Sequence, residues 1–228
     1  MCPRRRTGER SSPPQSGGVT KAERLFIPGP AGRLEALLEY VPGEVMRAAA
    51  IVCHPHPLFG GTMHSKVVYR AAKAAIQAGL PTLRFNFRSV GASEGEHGDG
   101  VEEADDVRAA LDYLAARFPT LPVCMLGYSF GCAVGLAVGA ADPRVTVLAG
   151  IGVPAGIWDM SFLRGVAKPT LIVQGTQDVF GPEDAVQCVF DSLTGTKRLH
   201  WIKGADHGFN TRLDELQETV RAFLAEFV

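Results

Sequence analysis

From residue 48 to the C-terminus, apolar runs of four to eight residues alternate with amphipathic stretches of ten or more. That rhythm restricts the fold more than any other feature of the chain. Short apolar runs separated by helices need crossover connections. They therefore predict a mainly parallel sheet with helices on both faces, an α/β architecture. The strands are read as "AAAIVC" (48–53), "PTLRFNF" (81–87), "PVCMLGY" (122–128), "VTVLAGIG" (145–152), "PTLIVQG" (169–175) and "KRLHWIK" (197–203). Between and after them, helices are expected over 66–79, 101–118, 129–141, 182–193 and 212–227. An earlier segment, "RLEALLEY" (33–40), has the mixed polarity of a short strand, and its period fits a helical turn as well.

Length and composition set the outer limits. At 228 residues, with 46% hydrophobic and 21% charged residues, the chain fits one domain over 19–228. Residues 1–18, "MCPRRRTGERSSPPQSGG", are expected to be a disordered tail. A net charge of -1 points to neither nucleic acid nor an anionic membrane as partner. No run of eighteen apolar residues predicts a membrane span. Five cysteines include no C-x-x-C pair, and Cys53, Cys124 and Cys132 lie inside apolar or small-residue runs. Buried reduced thiols, and hence a cytoplasmic location, are expected.

Sites in open parallel sheets lie beyond the carboxyl ends of the strands. The loops to search therefore follow Cys53, Phe87, Tyr128, Gly152, Gly175 and Lys203. The pattern G-x-S-x-G occurs twice, at Gly127–Gly131 around Ser129 and at Gly91–Gly95 around Ser93. Only Ser129 stands at a strand-to-helix junction, where a sharp turn would present its hydroxyl above the sheet. Ser93 is followed by the polar loop "EGEHGDG".

A serine hydroxyl needs a base, and the base needs a carboxylate to orient it. Asp178 follows a buried-type strand in "LIVQGTQD", and His207 lies beyond the last strand in "GADHGFN". His200 falls within that strand and reads as structural, whereas Asp206, adjacent to His207, stays a rival to Asp178. An oxyanion hole would take the N–H of Phe130 and one from "HPHPLFGG"; Pro55 and Pro57 have none, which leaves His56, Leu58 and Phe59, with His56 or Leu58 preferred. His54 and His56, with His64 or His97, could be imagined as a metal site. Their spacing matches no zinc motif, so locally hydrogen-bonded histidines are the expectation, with metal none.

With "VCHPHPLFGGTMHSK", "RFNFRSVGASEGEHGDG", "GYSFG", "VQGTQD" and "GADHGF" in place, residues 20–228 resemble the α/β-hydrolase superfamily. The likeness is greatest to its small bacterial members with an H-P-H-P loop. The resemblance implies Ser129 as nucleophile, Asp178 as acid, His207 as base and no cofactor. It also makes the stretch around Ser93 a structural turn. "RSVG" departs from the Arg-Gly more usual in similar sequences. Only "VPAGIWDMSFLRGVAKP" is available where many members insert a lid, so an open site is expected. Leu58, Phe59, Trp158, Phe162 and Phe180 are its candidate walls, with core packing the alternative for each. The expected activity is cleavage of an ester, or of a thioester or amide, in a small-molecule acyl substrate through an acyl-enzyme. Acyl transfer on the same triad and a non-catalytic binding protein are the competing readings. Oligomeric state is not written in these motifs.

Overall fold

The computed structural model describes residues 19–228; the expected tail, 1–18, lies outside the described residues. Eight strands form one sheet in the order β1-β2-β4-β3-β5-β6-β7-β8. They are β1 (Lys21–Gly29), β2 (Gly32–Tyr40), β3 (Ala49–Cys53), β4 (Thr82–Phe85), β5 (Val123–Tyr128), β6 (Val145–Ile151), β7 (Thr170–Gly175) and β8 (Lys197–Ile202). From β4 across to β8 every pairing is parallel, while β1 with β2 and β2 with β4 are antiparallel. Among the described residues the α-helices are α1 (Lys66–Gln77), α2 (Glu103–Arg117), α3 (Ala137–Ala141), α4 (Glu183–Ser192) and α5 (Leu213–Phe227). No helix among the described residues is long and apolar enough to cross a membrane.

The continuous apolar runs are explained by burial on both faces. Along β3, Ile51 joins a core with Val107 and Leu111 of α2 and Val186 of α4. Its neighbours Ala50 and Val52 join a second core with Val68 and Ala71 of α1 and Val220 and Phe223 of α5. Period-two alternation thus divides one strand between two apolar layers.

Residues 33–40 are strand, and they pair with β1, which the sequence reading missed. As an edge strand, β1 buries only Ile27, so its sequence carries almost no apolar alternation. The helix expected over 129–141 is present from Phe130, with a π-helical turn, Cys132–Leu136, inside it ahead of α3. β4 stops at Phe85 rather than Phe87. There the Asn86 N–H still reaches the Glu35 carbonyl of β2, but the Phe87 N–H turns to the His54 ring, which takes the chain off the ladder.

The "RSVG" departure has a conformational consequence. Ser89 is held at φ +64°, where a Cβ crowds its own carbonyl. Strain of about 1–2 kcal/mol exceeds the entropy that glycine would add to the unfolded chain, about 0.5–1 kcal/mol. Ser89→Gly is therefore expected to stabilise the protein by about 0.5–1 kcal/mol, read as a higher urea midpoint. A lowered midpoint would mean that the serine side chain makes a compensating contact.

Candidate active site

Ser129 follows β5 in a left-handed conformation, φ +54°, with its N–H bonded to the Ile151 carbonyl at 3.0 Å. The tight turn brings backbone against backbone. A Cβ on Gly127 would lie 2.4 Å from the Gly131 carbonyl oxygen, and one on Gly131 would lie 2.3 Å from that of Cys53. Ser129 Oγ is 2.9 Å from His207 Nε2, and His207 Nδ1 is 2.7 Å from Asp178 Oδ2. Three side chains from loops after β5, β7 and β8 therefore form one hydrogen-bonded chain. Of the two candidate carboxylates, Asp178 is buried and in contact with the ring, whereas Asp206 is exposed and makes no hydrogen bond to it among the described residues. His200 turns to α5, where its Nε2 is 3.0 Å from Glu215 Oε1.

Two side chains that sequence reasoning missed hold this chain in position. Gln174, fully buried on β7, donates from Nε2 to Asp178 Oδ2 at 2.8 Å and to the Gly181 carbonyl at 3.1 Å, and its Oε1 accepts the Val153 N–H at 2.7 Å. The other carboxylate oxygen, Oδ1, accepts the Phe180 N–H at 2.9 Å. Tyr128 stacks on the His207 ring, with centroids 5.3 Å apart, and donates its hydroxyl to the His207 carbonyl at 3.0 Å. Burial, with the Asp178 charge beside it, pushes the Tyr128 hydroxyl up, so it serves as a neutral donor. Its position before Ser129 is the only sequence signal that either residue carried.

The "HPHP" histidines are spent locally. His54 is buried, with Nε2 accepting the Phe87 N–H at 3.0 Å and Nδ1 2.6 Å from the Pro55 carbonyl. His56 Nδ1 accepts the Leu58 N–H at 3.2 Å. That bond engages one of the two candidate oxyanion donors. Among the described residues, the N–H groups of His56 and Phe130 make no hydrogen bond to protein. Burial, then the neighbouring His97, holds the His56 ring below the usual histidine range. His97 packs beside it at 5.1 Å between centroids, with Nδ1 2.8 Å from the buried Glu103 carboxylate. Burial would raise Glu103, but the N–H groups of Gly98 and Gly100 outweigh it, so the carboxylate stays ionised.

Burial pulls His54 down to about 4. Between that value and the ordinary 6.5 the unfolded chain binds a proton that the folded protein refuses, so stability is lost as pH falls through this window. Wild type is expected to lose about 2–3 kcal/mol more than His54→Gln between pH 7 and pH 4.5 in urea unfolding. The glutamine amide can take over both hydrogen bonds without titrating. Equal losses in the two proteins would overturn this assignment.

A cleft of about 480 Å³ opens over Ser129 and His207, walled by His56, Phe59, Phe130, Ile157, Trp158 and Phe180. Phe59, Trp158 and Phe180 thus lie in its wall. Leu58 and Phe162 do not line the cleft: Leu58 points to solvent, 67% exposed, and Phe162 packs against the core. The stretch between β6 and β7 folds as short turns, including Ser161–Leu163, and leaves the cleft open. The second G-x-S-x-G is elsewhere and closed. Ser93 is buried, donating to the Asn86 carbonyl at 2.8 Å and accepting the Glu35 N–H at 2.9 Å.

Comparison with known proteins agrees with this architecture. A lidless α/β serine hydrolase from Xanthomonas campestris superposes with a TM-score of 0.84 at 34% identity, covering 91% of this chain and 95% of that one. An alpha-beta serine hydrolase homologue from Coxiella burnetii gives 0.80 at 36% identity over 88% and 96%. An uncharacterised protein of Rickettsia prowazekii is 33% identical over 211 residues, 88% of each chain. The family model of the alpha/beta hydrolase domain matches residues 48–226, and the chain belongs to that family.

Proposed function

We propose that the protein is a serine hydrolase that cleaves carboxylic esters of small molecules through an acyl-enzyme on Ser129. The observation that carries this reading is the hydrogen-bonded chain Ser129–His207–Asp178 at the floor of an open cleft. In this mechanism His207 Nδ1–H donates to Asp178, which fixes the tautomer and leaves Nε2 to take the serine proton. As Oγ attacks the ester carbonyl, the imidazolium is stabilised by the carboxylate and then protonates the departing alcohol. The oxyanion receives the N–H groups of Phe130 and His56, each worth on the order of 3 kcal/mol in the transition state. His207 next activates water for deacylation, and the open cleft gives water direct access. The site residues supply every proton transfer, so the mechanism calls for no cofactor. Buried thiols at Cys53, Cys124 and Cys132, kept protonated by their burial, suit a reducing compartment such as the cytoplasm.

Labelling with a fluorophosphonate and turnover of p-nitrophenyl acetate test the proposal. Wild type and Ser93→Ala should both be labelled, and Ser129→Ala should not. A folded wild type that neither labels nor turns over ester would refute it.

A further inference from the structure

We propose that the cleft over Ser129 is a subsite for a planar, uncharged aromatic acyl group, an inference that rests on the hydrolase reading above. No Asp, Glu, Lys or Arg lines the cleft among the described residues, so a charged substituent would lose its water without gaining a partner. The walls are ring systems held at mutual angles. Phe130 and Trp158 meet edge to face with centroids 5.4 Å apart, His56 tilts against both Phe59 and Phe130 at 4.9 Å, and Phe180 stands edge-on to His207 at 4.8 Å. Trp158 is also backed by Gly100, where even a Cβ would come within 3.3 Å of the indole. The Phe130 and Trp158 rings are therefore fixed before substrate arrives, and binding against them costs little side-chain ordering. Phe59 and Phe180 remain 86% and 41% exposed at the mouth, with no lid to cover them.

An alkyl chain would gain only burial in such a place. An aromatic ring would add face and edge contacts to the walls, each worth about two- to tenfold in affinity.

The test compares ethyl 3-phenylpropanoate with ethyl 3-cyclohexylpropanoate, using ethyl acetate as the reference. The saturated ring is the more hydrophobic, so burial alone favours it. Aromatic recognition is expected to give the phenyl ester a kcat/KM about fivefold or more higher. Trp158→Leu should bring the ratio of the two towards one. Placing a para carboxylate on the phenyl ring should slow turnover about tenfold or more. Turnover of acetate with a phenyl-to-cyclohexyl ratio of one or less would overturn the subsite and leave the hydrolase reading standing. Absence of both labelling and turnover would overturn the reading itself.

A second inference comes from a different contact. We infer that Gln174 is a positioning residue for Asp178, because its amide donates to Oδ2, the same oxygen that faces His207. Without that donor, more of the negative charge on Oδ2 is directed at the imidazole and favours its protonated form. Gln174→Leu, with Gln174→Met as a second variant that keeps side-chain length, should lower kcat/KM near neutral pH about tenfold. The acid limb of the pH profile should move up by about half a unit or more, with KM little changed. A profile that falls without moving, in parallel with a lower thermal midpoint, would make Gln174 structural only and overturn the assignment. The same holds if both variants keep wild-type kinetics.

Discussion

Replacing His207 by alanine is expected to lower kcat for p-nitrophenyl acetate by about 10⁴-fold or more, and adding Ser129→Ala to that variant should cost almost nothing further. The geometry gives the reason for this lack of additivity. Ser129 Oγ, 2.9 Å from Nε2, has no other base within the chain of contacts, so an unpaired hydroxyl at φ +54° is only a polar group on a tight turn. Once the ring is gone the serine does no chemistry that water could not, and its removal takes away nothing. Any residual rate above the uncatalysed one should come from the Phe130 and His56 N–H groups, which neither substitution touches. The measurement is a double-mutant comparison at saturating substrate, with fluorophosphonate labelling beside it. Losses that multiply between the two variants would mean that the residues act separately and would exclude the proposed base.

The residues that sequence alone could single out are those whose placement follows from topology. A parallel sheet collects its strand ends at one edge, so a serine, an aspartate and a histidine in loops after β5, β7 and β8 are neighbours whatever the helices between them do. The strands of the parallel part were legible for the same kind of reason, since burial on both faces leaves an unbroken apolar run. The edge strand β1 left no such run, because solvent takes one of its faces. Gln174 and Tyr128 were hidden for a different cause. Neutral residues inside apolar strands carry no motif, and the bonds that Gln174 makes to Asp178, Val153 and Gly181 exist only after β6 and β7 pair. The difference between the His56 and Leu58 donors was likewise local and atomic. One N–H is taken by a ring nitrogen two residues back, a fact that depends on a side-chain rotation.

Gly131→Ala is expected to destabilise the protein by about 3 kcal/mol or more, lowering the thermal midpoint by about 6–12 °C, and to abolish turnover in whatever remains folded. Its backbone, at φ -60°, is one that alanine adopts freely, so conformation is not the obstacle. Space is: the added carbon would lie 2.3 Å from the Cys53 carbonyl oxygen, 2.7 Å from its carbon and 2.8 Å from the His54 oxygen, all backbone atoms at the end of β3. No side-chain rotation relieves that contact, so β3 must move away from the turn that holds Ser129. Such a shift displaces His54 from the Phe87 N–H and carries the His56 N–H away from Phe130. Ser129→Ala is the control, inactive but with an unchanged midpoint, since alanine is strained at φ +54° as serine is. A Gly131→Ala protein with a wild-type midpoint would show that the two backbones can part cheaply. The contrast with the other G-x-S-x-G explains why one five-residue pattern has two meanings. Gly91 and Gly95 have φ of +59° and +96°, so there glycine supplies left-handed backbone around a buried structural serine. At the turn after β5 the left-handed residue is Ser129 itself, and its glycines are there because two strands and a helix meet with no room for a Cβ.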